Sequence, residues 1–110
     1  MPLVEAARVE ELVEGRPVVR HVSVGGRLVS IMLVKLGGRV YAAEPLCPHA
    51  RWPLDVFGTF TDRGGAKVVC RMHWGVWELD TGRGRFASKE APRLKIYEAE
   101  VREGRVYLRL

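Results

Sequence analysis

Asparagine and glutamine are missing from this 110-residue sequence, while charged residues make up 28% of it. Abundant charge without carboxamides is a mix found in proteins from very hot environments, so the composition reads as that of a thermophile. Long apolar runs are missing as well. No segment reaches the ~18 uninterrupted apolar residues of a membrane-spanning helix, which excludes that class of membrane protein. The opening, Met1-Pro2-Leu3-Val4-Glu5-Ala6, lacks the basic-then-apolar order of a secretory leader, so a cytoplasmic location is expected. Basic runs are absent too: arginine supplies fourteen of the 18 basic residues behind the net charge of +5, but the arginines are scattered. That distribution argues against nucleic-acid binding and suits a solvated surface biased toward acidic protein partners. Cysteine occurs only twice. In a reducing compartment two cysteines read first as metal ligands, with a plain Cys47 to Cys70 disulfide as the alternative.

The two cysteines head two short loops, Cys47-Pro48-His49 and Cys70-Arg71-Met72-His73, which also hold two of the three histidines. Each loop offers one soft thiolate and one borderline imidazole, a donor set that suits zinc or an iron-sulfur cluster far better than magnesium or calcium. Structural zinc sites share the Cys2His2 count, but they commonly pair cysteine with cysteine and histidine with histidine within a loop, and here each loop is mixed. His21, inside an apolar run, reads as a packed or surface histidine. No paired carboxylates and no nucleophile with a base accompany the loops, so the sequence predicts no enzyme.

A chain of this length buries roughly 65% of its unfolded surface, enough for one domain over residues 1–110. Residues 3–8 suggest a first strand and 9–14 a helical turn ended by Gly15. Residues 17–24 and 27–35, rich in Val, Leu and Ile and joined by Gly25-Gly26, have a hairpin signature. The second run is nearly continuous in apolar character, so both its faces should be covered. After Gly37-Gly38, residues 39–44 continue the meander. Three prolines, Pro45, Pro48 and Pro53, then impose a stiff irregular path on the first loop. Residues 55–61 and 66–69 read as short strands around a turn at 62–65, residues 83–93 as an irregular link, and the alternation of Tyr97, Ala99, Val101 and Val106, Leu108, Leu110 around Glu103-Gly104 as a last hairpin. Short strands, Gly and Pro turns and no long helix predict an all-β barrel or sandwich.

Cys47-Pro48-His49 and Cys70-Arg71-Met72-His73, followed by Trp77-Glu78-Leu79-Asp80-Thr81-Gly82, closely resemble the motif of the Rieske-type ferredoxins. That resemblance implies three stacked antiparallel β-sheets with a two-loop cluster-binding subdomain, here roughly residues 45–82. It implies one [2Fe-2S] cluster, with Cys47 and Cys70 on the inner iron and His49 and His73 on the outer one. It further implies a one-electron carrier, monomeric when free, that serves a reductase and an oxygenase or another acceptor, or else a small subunit of a nitrite-reductase-like assembly. Three departures stand out. The loops are separated by twenty residues, 50–69, with 62–65 as the place of the extension. Trp74 follows His73 where relatives commonly have glycine. The interloop disulfide of the high-potential branch is impossible with two cysteines. Where that branch places hydroxyl donors, this chain has Gly75 and Trp77, which predicts a potential in the lower part of the Rieske range of about −150 to +300 mV. Trp52 and Trp74 beside the ligands either pack over the cluster or form an apolar docking patch rimmed by Arg51 and Arg71.

Overall fold

The computed structural model describes residues 3–48 and 50–110. Eleven strands follow one another: β1 (Leu3–Arg8), β2 (Val18–Val24), β3 (Arg27–Leu36), β4 (Arg39–Ala43), β5 (Gly58–Thr61), β6 (Lys67–Cys70), β7 (Val76–Glu78), β8 (Gly84–Phe86), β9 (Lys89–Ala91), β10 (Ile96–Arg102) and β11 (Arg105–Arg109). A single helical turn, α1 (Leu54–Phe57), precedes β5. The strands form a six-stranded sheet in the order β1-β11-β10-β4-β3-β2 and a five-stranded sheet in the order β5-β6-β7-β8-β9.

The strand β10 belongs to two ladders. Its first residues, Ile96 and Tyr97, pair with Ala43 and Ala42 of β4, whereas residues 98–102 pair with β11. The larger sheet therefore turns at β10 into two layers, and with the smaller sheet the molecule has three, all antiparallel. The middle layer is built on β3. Successive side chains of a strand point to opposite faces, and here both faces are covered. Ile31 and Leu33 join Val22, Ala42, Val106 and Leu108 in one apolar cluster. Met32 and Val34 join Ala43, Leu54, Val68, Cys70 and Trp77 in the other. All four of these β3 side chains are at most 1% exposed, so each contributes on the order of 1.5–3 kcal/mol of burial. This is the physical content of the continuous apolar run.

Turn chemistry decided the other hairpins. Gly25-Gly26 and Gly37-Gly38 have positive φ at both positions, the conformation that two-residue hairpin turns require. Three local expectations need correction. The helical turn expected over 9–14 is a three-residue 3-10 turn, Val9–Glu11. The strand expected from residue 55 starts only at Gly58, because Leu54–Phe57 is helical. The irregular link over 83–93 contains the hairpin of β8 and β9, whose turn residues Ala87 and Ser88 take φ of 51° and 69°. Neither is glycine or asparagine, so the usual turn signal was absent.

Candidate metal centre

Both cysteines sit at the start of loops that close with the same pair of backbone hydrogen bonds. In the first, the Cys47 N–H donates to Trp52 O at 2.8 Å and the Arg51 N–H returns to Cys47 O at 2.6 Å. In the second, the Cys70 N–H donates to Gly75 O at 2.9 Å and the Trp74 N–H returns to Cys70 O at 2.6 Å. The residue four places after each cysteine, Arg51 and Trp74, has φ of 61° in both. Two unrelated stretches of sequence thus close into twin loops, each with one residue in the left-handed region at a cost of roughly 1–2 kcal/mol.

Cys47 and Cys70 are at most 1% exposed and belong to the same apolar cluster, between the middle layer and the smaller sheet. That cluster includes Leu54, Leu79, Leu94 and Trp77, with Trp52, Phe57, Phe60 and Phe86 packed against it. His73 is exposed at the rim of the second loop. Its imidazole meets the Phe86 ring edge-on, with centroids 6.2 Å apart and planes at 80°. His49 lies outside the described residues. His21 is far from the loops in the fold, on β2, where its Nδ1 and the Ser30 hydroxyl are 2.8 Å apart across the β2–β3 ladder. Among the described residues no group of three or more His, Cys, Asp and Glu side chains is assembled.

The wall beneath the second loop is Trp77. It is fully buried, and its Nε1–H donates to Pro92 O at 3.0 Å. A Cβ on Gly75 would lie 2.5 Å from the Trp77 ring, and one on Gly84 would fall inside contact with Trp77 Nε1. Two glycines therefore make room for one indole. Trp52 packs edge-on to Phe57 with centroids 5.6 Å apart, so it is part of the packing around the first loop. Trp74 is different: it is 68% exposed, and Met72 beside it is 39% exposed. The arginine rim expected around them is largely committed elsewhere. Arg51 Nη1 pairs with Glu44 at 3.3 Å, and Arg71 folds back onto the carbonyls of Val56 and Phe57. Phe86 and the carbonyl-binding role of Arg71 were not visible in the sequence; the former sits on a hairpin with no turn signal, and the latter depends on a tertiary contact.

The family model for the Rieske [2Fe-2S] domain matches residues 3–98. The chain belongs to the Rieske [2Fe-2S] domain family. A Rieske domain carries one [2Fe-2S] cluster and serves one-electron transfer. Among solved structures, the ferredoxin of carbazole 1,9a-dioxygenase from Nocardioides aromaticivorans IC177 is 26% identical at a TM-score of 0.79, over 98% of this chain and 97% of that one. The ferredoxin in a complex of reduced oxygenase and oxidized ferredoxin of carbazole 1,9a-dioxygenase is 24% identical at a TM-score of 0.74, over 96% of this chain and 91% of that one. A Mycobacterium tuberculosis chain assigned as an NADH-dependent nitrite reductase small subunit is 24% identical at a TM-score of 0.78, over 97% of this chain and 93% of that one. No curated protein matches the sequence at a significant level.

The chemistry of the residues fits a Rieske cluster. Two thiols buried among apolar side chains favour soft iron-sulfide bonding over a hard cation. The exposed imidazole at the loop rim fits the outer, solvent-facing half of such a cluster. No helix among the described residues is long and apolar enough to cross a membrane.

Proposed function

We propose that Cys47 and Cys70 hold one iron of the cluster and that His49 and His73 hold the other, within one domain over 1–110 that acts as a free electron carrier. The observation that carries this reading is the pair of twin loops, each headed by a buried cysteine of the same apolar cluster. When bound, the cluster supplies a site that takes up and releases one electron. The chain's own residues do the rest. The three prolines and the twin backbone closures hold the loops ready, and Trp77 with Leu54 and Leu79 excludes water from the thiol side. No hydroxyl occupies the positions of Gly75 and Trp77, and the one side-chain donor there, Trp77 Nε1–H, is already given to Pro92. Donors to cluster sulfurs favour the reduced state, so their lack supports a potential in the lower part of the range of about −150 to +300 mV.

The partner is a redox protein that docks against the exposed Met72 and Trp74 beside His73, with Trp74 as the anchor. An oxygenase and its reductase are the favoured partners, on the likeness to the carbazole dioxygenase ferredoxin; the likeness to the nitrite reductase small subunit favours a second reading as a subunit of a reductase. The carrier is cytoplasmic, monomeric between encounters and not itself an enzyme. The test is to reconstitute the protein anaerobically and measure iron, acid-labile sulfide, visible absorption and the voltammetric potential. Two irons and two sulfides per chain with a low-range potential are expected. Colourless, iron-free protein overturns the ligand assignment, and a potential near the top of the range overturns the tuning argument. Trp74→Ala, with an unchanged spectrum, is expected to slow reduction of the acceptor.

A further inference from the structure

Arg71 makes three hydrogen bonds to the stretch that follows the first loop. Its backbone N–H donates to Phe57 O at 2.9 Å, its Nε–H to the same oxygen at 3.1 Å, and its Nη2–H to Val56 O at 2.5 Å. These two carbonyls belong to the end of α1, where the last turn of a helix leaves acceptors without intrahelical donors. The α1 turn is in turn fastened to the first loop: Leu54 N–H donates to Pro45 O at 2.8 Å, Phe57 N–H to Pro53 O at 3.0 Å, and Leu46 and Pro53 form an isolated bridge. Holding α1 therefore holds the first loop.

We infer that Arg71 is a positioning residue, a guanidinium clamp that fixes the second ligand loop to the first and sets the spacing at which the two close. The inference rests on the assignment of Cys47 and Cys70 as ligands, which leaves no cysteine to tie the loops covalently. The planar fork aims two separate nitrogens at two neighbouring carbonyls in a fixed geometry, which the single nitrogen of a flexible lysine does not reproduce. Arg71 also keeps a positive charge one residue from Cys70, and a cation near a ligating thiolate favours electron uptake. Geometry and charge are separable, because Arg71→Lys retains the charge and loses the fork, whereas Arg71→Gln loses both.

The experiment uses the cluster-loaded wild type, Arg71→Lys and Arg71→Gln. The readouts are the rate of bleaching in an iron chelator, the voltammetric potential, and the melting temperature of the metal-free chain. Both variants are expected to bleach about tenfold faster, the order of one lost charge-assisted hydrogen bond. Only Arg71→Gln is expected to show a lowered potential, and the metal-free melting temperature is expected to fall by only a few degrees in either variant, the size of one lost hydrogen bond. Bleaching at the wild-type rate in both variants overturns the clamp. So does full recovery of that rate by Arg71→Lys, which makes charge alone the cause. A metal-free chain destabilised far beyond the few degrees of one hydrogen bond overturns it too, since Arg71 is then a general staple of the fold. Should Arg71→Gln fail to fold, Arg71→Lys decides the matter. A wild type that never takes up iron defeats the ligand assignment, whereas a coloured wild type with unchanged variants defeats the clamp alone.

Discussion

The two cysteine loops close with the same backbone hydrogen bonds and differ in what holds them. Around Cys47, stiffness is local: Pro45, Pro48 and Pro53 fix φ at three places, and Leu54 N–H closes on Pro45 O. Around Cys70 there is no proline between Arg71 and Gly75, and the same shape is imposed from outside by the α1 carbonyls and by the Trp77 ring beneath Gly75. One conformation is thus reached once through chain chemistry and once through packing. A substitution should therefore be felt differently according to which loop it strikes.

The largest expected effect comes from removing the external support. Trp77→Ala deletes a fully buried indole shared by Gly75, Gly84 and Pro92, and is expected to cost about 3–5 kcal/mol. Thermal unfolding of the metal-free protein measures it. Next is the direct contrast between loops. Gly75→Ala places a methyl 2.5 Å from Trp77 and is expected to cost about 1–3 kcal/mol, whereas Pro48→Ala is expected to cost at most about 1 kcal/mol through the unfolded chain. Equal losses in denaturant titration would mean that the second loop is not held by packing.

The shared left-handed residue offers a finer comparison. Trp74→Gly relieves roughly 1–2 kcal/mol of backbone strain against about 0.4–1 kcal/mol of added unfolded-chain entropy, so a small stabilisation is expected. Arg51→Gly relieves the same strain but loses the Glu44 ion pair at 3.3 Å, so its gain is expected to be smaller, which parallel melting curves resolve. The smallest effect lies outside the loops. Glu11 accepts the Arg8 backbone N–H at 2.7 Å and pairs with Arg20 at 3.2 Å. The Arg8 backbone bond is the main cause that holds its carboxyl below the usual glutamate value. A depressed folded-state value means stability that is present above the usual glutamate range and lost as pH falls through the lowered one. Wild type and Glu11→Gln are therefore expected to differ at neutral pH and to converge in acid, which melting curves across that range would show.

What was readable in the sequence followed the same division. The β3 strand declared itself because Ile31, Met32, Leu33 and Val34 leave no polar face, and the double-glycine turns marked its hairpins. The pairing of Cys47 with Cys70 in one region was legible because soft ligands at mixed spacing have few other uses. The hairpin of β8 and β9 was not, since Ala87 and Ser88 adopt positive φ without the residues that usually announce it. Arg71 read as a rim charge because a sequence shows that a guanidinium exists and says nothing of which carbonyls lie within its reach. Trp52 and Trp74 looked alike as neighbours of ligands; only the fold separates the packed ring from the exposed one.

The near-complete enclosure of both thiols bears on manufacture. On the proposed ligand assignment, a sulfur enclosed in the closed fold meets iron and sulfide when its loop opens, so loading of the cluster proceeds through locally opened protein. The β1–β2–β11 side has an apolar cluster of its own, which allows that half to be in place beforehand. Opening of the two cysteine loops alone would then admit the cofactor, and their closure would seal it in.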